Sequence, residues 1–395
     1  MSAPEALHAT FSKIQRLALS IGVICLALSI ALGFRNGAQF FQSYLYSFIY
    51  WLAFPSGCLA LLMLHHLTGG KWGYPMRRLW EAGSRTYPLM ALLFIPILIP
   101  VWKSMSAVFP WTDFNPDDKV LLAKHFYLNS NFFTLRAVIY FAIWIGLAAL
   151  FNKWSAEQDK SGDPRLAKNM EGLAGPGIIL WGIALTYASI DWGMSLEPHW
   201  FSTIYGMIFM IVGCLLAMAF GLFVLRQLAD EDPVKDAVSP AQFNDLGNLL
   251  FAFTMLWAYL NFDQFLIIWS GNIKDEIPWY MTRAFGPWGA VAAFLLVMHF
   301  FVPFLLLLQR PIKRRLHTLS MVAAYMILLS IVDVYWLIMP SFHKDHPNLN
   351  ILDLLALAGI GGLWLASYFR QLSKMPLLPQ HDPRFEGVLL NEHGD

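Results

Sequence analysis

Ten stretches of this 395-residue chain are long and apolar enough to cross a bilayer, and little polar sequence is left between them. A spanning helix needs about 20 apolar residues to cross roughly 30 Å of hydrocarbon. The stretches fall at 17–34, 44–67, 87–109, 132–151, 175–196, 203–225, 246–269, 287–309, 318–339 and 351–369. Backbone groups in lipid must be satisfied within the segment, so these predict helices. The expected fold is an all-α polytopic membrane protein with about ten transmembrane helices. Residues 1–16 form a polar N-terminal segment, 17–369 the membrane domain and 370–395 a C-terminal tail. Only 13% of the chain is charged, against about 25% in soluble domains. No basic stripe with interleaved aromatics occurs, so no nucleic-acid partner is expected, and the net charge of +1 does not bear on it. Membrane lipids are the partners the composition itself implies.

The polar leader MSAPEALHATFSKIQR runs into the first apolar stretch without a small-residue cleavage site, which predicts a retained helix rather than a signal peptide. Lys and Arg then set the orientation. With the N-terminus cytoplasmic, 19 of the 27 Lys and Arg lie in inner segments, so both termini are expected inside. Arg136 counts among the outer cations, as do Lys124 and Arg283. Pro96 and Pro100 interrupt helix 3, and no matching interruption is read in the second half. That weighs against an autonomous secondary transporter, whose broken helices fall in corresponding positions of two halves.

Cys25, Cys58 and Cys214 sit in apolar stretches, and no C-x-x-C occurs. Cysteine-ligated iron–sulfur clusters and covalently attached haem are therefore not expected in this chain. Haem b needs two axial histidines at one depth, and His299 lies far from the level of His65 and His66. Those two fall at the inner end of helix 2, where headgroups or loop backbone would satisfy them.

Three aspartates interrupt the apolar stretches: Asp191, Asp263 and Asp333. Each falls five or six residues before the expected outer end of its helix, about 7–9 Å deep. An ionised carboxylate at a helix centre costs at least about 2.5–3.5 kcal/mol, so each must be paired, protonated or wetted. Tyr187 and Tyr259 precede Asp191 and Asp263 by four residues, a spacing that puts phenol and carboxylate on one face. His299 falls mid-helix and can carry a proton near neutral pH. These residues, with His65 and His66, are the candidates for a proton path. The bland alternative is that each Asp braces helix packing. Glu197 and His199, in the turn SLEPHWF, would collect protons at the outer mouth or contact a partner. Asp263 and Gln264 between Trp257 and Trp269 offer a rival quinone site.

The segments SIDWGMSLEPHWFSTIYG (189–206), NFDQFLIIWSGNIKDEIPWY (261–280) and HHLTGGKWGYPMRRLWEAGSRTYPLM (65–90) resemble the ActF membrane subunit of bacterial alternative complex III. That complex is a respiratory quinol:electron-acceptor oxidoreductase, and its ActF component is similar to the NrfD-like membrane subunits of polysulfide reductase. The resemblance implies two four-helix bundles flanked by two further helices, in a bacterial inner membrane. It implies an iron–sulfur subunit, pentahaem and monohaem cytochromes c and a sister NrfD-like quinol-binding subunit as partners, with a terminal oxidase as a further one. The haem c and iron–sulfur clusters would belong to those partners, with no cofactor in this chain. The expected role is a non-catalytic subunit that scaffolds the complex and contributes a proton path. A second quinone-binding subunit and a purely structural subunit are the alternatives.

Overall fold

The computed structural model describes residues 5–382, so the part of the expected tail beyond 382, with Arg384, lies outside the described residues. The chain is 80% helical, with no strand among the described residues. Ten helices are long and apolar enough to span a membrane: α1 Glu5–Gly33, α2 Gly37–Thr68, α3 Arg77–Trp102, α4 Ser130–Ser161, α5 Pro164–Trp192, α6 Tyr205–Leu228, α7 Pro240–Gly271, α8 Gly286–Leu308, α9 Leu316–Ile338 and α10 Ile351–Leu372. The end of the molecule that carries residues 103–129 and 193–204 is here its upper end. The end with residues 69–76, 229–239 and 373–382 is its lower end.

Polar caps decide where several helices start. Asn36, Asn129 and Asp163 each accept a backbone N–H from the first turn of α2, α4 and α5. Ser239 and Asn350 do so for α7 and α10, within full capping boxes. Several helices run past the expected apolar bounds: α4 continues to Ser161 rather than 151, and α5 begins at Pro164 rather than 175. α1 begins at Glu5 rather than at residue 17, and Phe11 packs on Phe369 of α10. α3 begins at Arg77 rather than residue 87, as a short helix Arg77–Ser84 and, after a turn, Tyr87–Trp102. Hydropathy misses the first piece because it carries Arg77, Arg78 and Glu81. All three are buried and mutually neutralised.

Helices α2–α5 pack as one four-helix bundle and α6–α9 as a second, joined chiefly along α2 and α6. α10 lies against α2, and α1 covers α10. The junction is made by glycines. A Cβ on Gly57 of α2 would overlap the Gly213 carbonyl of α6. At the α1–α10 crossing, a Cβ on Gly22 would stand 2.7 Å from the Leu363 nitrogen. Lipid offers no hydrophobic drive between helices, so close packing of small residues must hold them together.

At the lower end, Arg77 bonds Glu81 at 3.0 Å, and Arg78 bonds the same carboxylate at 2.6 Å. Arg78 also pairs with Asp159 of α4, and Arg77 with Asp382 beyond α10. Ser155 donates to Glu81 at 2.7 Å. This network ties α3, α4 and the chain after α10 into one unit.

Gly57→Leu should separate the bundles and lower the thermal unfolding midpoint of the detergent-solubilised protein. Overpacking typically destabilises by about 1–3 kcal/mol, and backbone contact places this site at the upper end of that range.

Candidate functional site

The buried carboxylates of the spanning helices comprise ion-paired braces, the capping Asp353, which accepts from Ser43 and the Asn350 N–H, and Asp333, in a cluster that holds no cation. Asp191, at the end of α5, is fully buried. Arg136 of α4 grips both its oxygens at 2.8 Å, and the Tyr140 hydroxyl donates to Oδ2 at 2.8 Å. Arg136 spends another N–H on the Tyr127 carbonyl at 2.7 Å and lies 3.7 Å over the Tyr127 ring. A bidentate guanidinium pair fixes geometry as well as charge. Asp191 therefore closes α4 onto α5.

Glu197 has the same fate at the upper end between bundles. Arg283, in the short helix Ile277–Ala284, bonds it at 2.7 Å and stands 4.0 Å over Trp279. Ser341, just past α9, donates to Glu197 at 2.8 Å. His199 bonds Asp118 at 2.7 Å on the surface. The Leu121 and Val120 amides and His199 hold the Asp118 carboxyl below the usual carboxylate range. Trp200 stacks on Trp279 at 4.6 Å. The SLEPHWF turn is thus a clasp between surface loops rather than an open mouth.

The second cluster sits inside the α6–α9 bundle. Trp257 of α7 donates its indole N–H to Asp333 Oδ2 of α9 at 3.0 Å. The other edge of that contact is His299 of α8, whose ring lies 4.5 Å from the Trp257 ring. His299 Nε2 meets Ser330 Oγ at 3.2 Å, and Ser330 donates its own hydrogen to the Met326 carbonyl at 2.9 Å. Ser330 must then accept from Nε2–H, which assigns the lone pair to Nδ1. Nδ1 is buried and has no partner among the described residues. Asp333 and His299 are both buried, and one neutral indole touches both.

The backbone at His299 has a local cause. Pro303 has no N–H for the His299 carbonyl four residues back, and its ring crowds that carbonyl. α8 widens there into a π segment, Leu296–Phe301, with His299 in its middle. Single π turns inside α-helices are frequent at functional sites. Pro303 is thus an interruption in the second half of the chain, contrary to the expectation that the prolines of helix 3 have no counterpart there.

The other candidates are scattered. The three aspartates do not share one level on their helices: α5 stops one residue past Asp191, α9 five past Asp333 and α7 eight past Asp263. Tyr187 and Tyr259 are 46% and 61% exposed, so neither phenol joins its carboxylate inside a bundle. Tyr140, on a different helix, is the phenol that meets Asp191. Asp263 is half-buried beside the exposed Phe262, with no hydrogen bond or ion pair among the described residues. The rival quinone site does not assemble on α7. Trp257 and Gln264 face inward, Gln264 onto Ser202 and Tyr280, whereas Trp269 is 68% exposed. His65 and His66 are buried at the lower end, where loop backbone, one of the two expected partners, meets His65. His65 Nε2 meets the Gly70 carbonyl at 3.2 Å, and His66 stacks on Phe151 at 5.5 Å.

Arg136, Tyr140, Arg283, Trp257 and Ser330 are the partners the sequence did not announce. Arg136 carried a signal, since it lies inside an apolar stretch, but a charge near a helix end also fits a snorkelling cation. Among the described residues, no three His, Cys, Asp or Glu converge as a metal site. Neither known family models nor curated proteins match the sequence.

Arg136→Gln should leave Asp191 buried without a cation and destabilise the protein by about 3–5 kcal/mol, read as a fall in thermal midpoint. The double variant Arg136→Gln/Asp191→Asn should recover part of the loss.

Proposed function

We propose that this protein is a membrane-integral, non-catalytic subunit of a respiratory quinol oxidoreductase of the alternative complex III type. In this proposal it scaffolds the assembly and exchanges protons at Asp333 and His299 in its second bundle. The observation that carries the proton role is the Asp333–Trp257–His299 cluster. It pairs a carboxyl that has only a neutral donor with an imidazole whose Nδ1 is an unused acceptor. A guanidinium locks Asp191 and Glu197 in one charge state each. No cation does so at Asp333. His299 Nδ1 can take up a proton and the Asp333 carboxyl can hold or release one, with the Trp257 side chain in contact with both.

The resemblance of segments 65–90, 189–206 and 261–280 to the ActF component supports the assignment to a complex. Electron transfer then belongs to partner subunits: the iron–sulfur subunit, the cytochromes c and the sister quinol-binding subunit. The positive-inside balance supports both termini on the cytoplasmic side of a bacterial inner membrane. The braces favour a structural contribution alongside the proton role, because they set the positions of the loops that a partner would meet.

Asn at position 333 keeps an acceptor for the Trp257 N–H, and Gln at position 299 keeps a donor near Ser330. In the assembled complex, Asp333→Asn and His299→Gln should slow proton release by on the order of 10²-fold, the worth of a positioned acid–base group. Assembly should stay intact. Unchanged proton release per electron in both variants would leave the protein a purely structural subunit.

A further inference from the structure

A cleft of about 670 Å³ lies between α5 and α6 and is closed at the upper end by the 193–204 turn and residues Lys124–Leu128. Ile179, Ile183 and Phe201 along it are 63%, 51% and 52% exposed, so it opens toward the surrounding membrane. Its walls along α5 run from Ile179 to Ile190, about 16 Å of helix. One leaflet of hydrocarbon is about 15 Å deep, so the groove matches a single acyl chain in length. Gly182 and Gly206 line it, one on each helix, and Gly206 lets α6 approach Thr186 of α5 closely.

Its upper end is polar in one sense only. Lys124 lines it and gives one N–H to the Pro198 carbonyl at 2.6 Å, which leaves two donors. Trp200 lines it too, buried, and its indole N–H has no acceptor among the described residues. Ser202 and Thr203 add hydroxyls, and no described Asp or Glu lines the cleft. Burial pulls the Lys124 ammonium below the ordinary lysine range. A desolvated ammonium and an orphaned N–H above an apolar groove call for a headgroup anion on a hydrocarbon tail.

We propose that this cleft binds an anionic glycerophospholipid, with the phosphate at Lys124 and the Trp200 N–H and one acyl chain along Ile179–Ile190. The site is separate from the proton cluster, since none of its lining residues lies on α7, α8 or α9. The bound lipid would seal the α5–α6 seam below the SLEPHWF clasp.

The test is photolabelling of native membrane vesicles with phosphatidylglycerol that carries a diazirine on one acyl chain, followed by peptide mapping. Label should concentrate in residues 175–192 and 203–212 and be displaced by unlabelled phosphatidylglycerol but not by phosphatidylcholine. Ile183→Trp, which fills the groove from its exposed side, should lower that label relative to label on α1, and Lys124→Ala should lower it about fivefold, the effect expected for one cation near a headgroup. Lys124→Arg should restore it. Equal displacement by phosphatidylcholine, undiminished labelling in Ile183→Trp, or displacement by a quinone at far lower concentration would overturn the proposal.

Discussion

Hydrocarbon does not solvate charge, and most of the polar architecture of this protein follows from that. Each buried cation has found a carboxylate: Arg136 with Asp191, Arg283 with Glu197, and Arg77 and Arg78 with Glu81, Asp159 and Asp382. Each pair or network joins elements that the chain keeps apart. The first holds the upper ends of α4 and α5, and the second links the α5–α6 turn to the helix before α8. The third binds α3 and α4 to the segment after α10. Breaking a buried pair strands a charge, so these contacts hold the bundles in one register even where their net stabilisation is small.

The same constraint isolates the exceptions. Asp333 has an indole and His299 a hydroxyl, neither of which fixes a charge state. The π segment at His299 points the same way, because Pro303 has taken the regular hydrogen bond from the His299 carbonyl. Asp263 is a different exception, half-buried on a face where Phe262 and Tyr259 meet the membrane.

The helix count and fold class were legible in the sequence, because a 20-residue apolar run has one stable form in lipid. The two-bundle grouping agrees with what the family resemblance implied, and glycine crossings at Gly57 and Gly22 explain how such close contact is possible. Hydropathy misplaced the start of α3, since a charge network that cancels itself looks polar in sequence and is buried in three dimensions. The site was only half legible. Asp333 and His299 stood out as ionisable groups within apolar stretches. Their neighbours did not, because Trp257 and Ser330 are ordinary residues of membrane helices until packing brings them to the carboxyl and the imidazole. The i to i+4 spacing of Tyr187 and Asp191 misled for a similar reason. It reports a shared helix face only loosely, and at the end of α5 the carboxylate turns to α4 while the phenol turns to the membrane.

The central claim is that cation-paired acids brace this fold and that Asp333, which has only the Trp257 indole as a partner, exchanges protons. Infrared difference spectroscopy of the assembled complex during quinol oxidation tests it most directly. A carboxyl stretching band that changes with turnover should vanish in Asp333→Asn and persist in Asp191→Asn. A band that survives in Asp333→Asn and vanishes in Asp191→Asn would contradict the account.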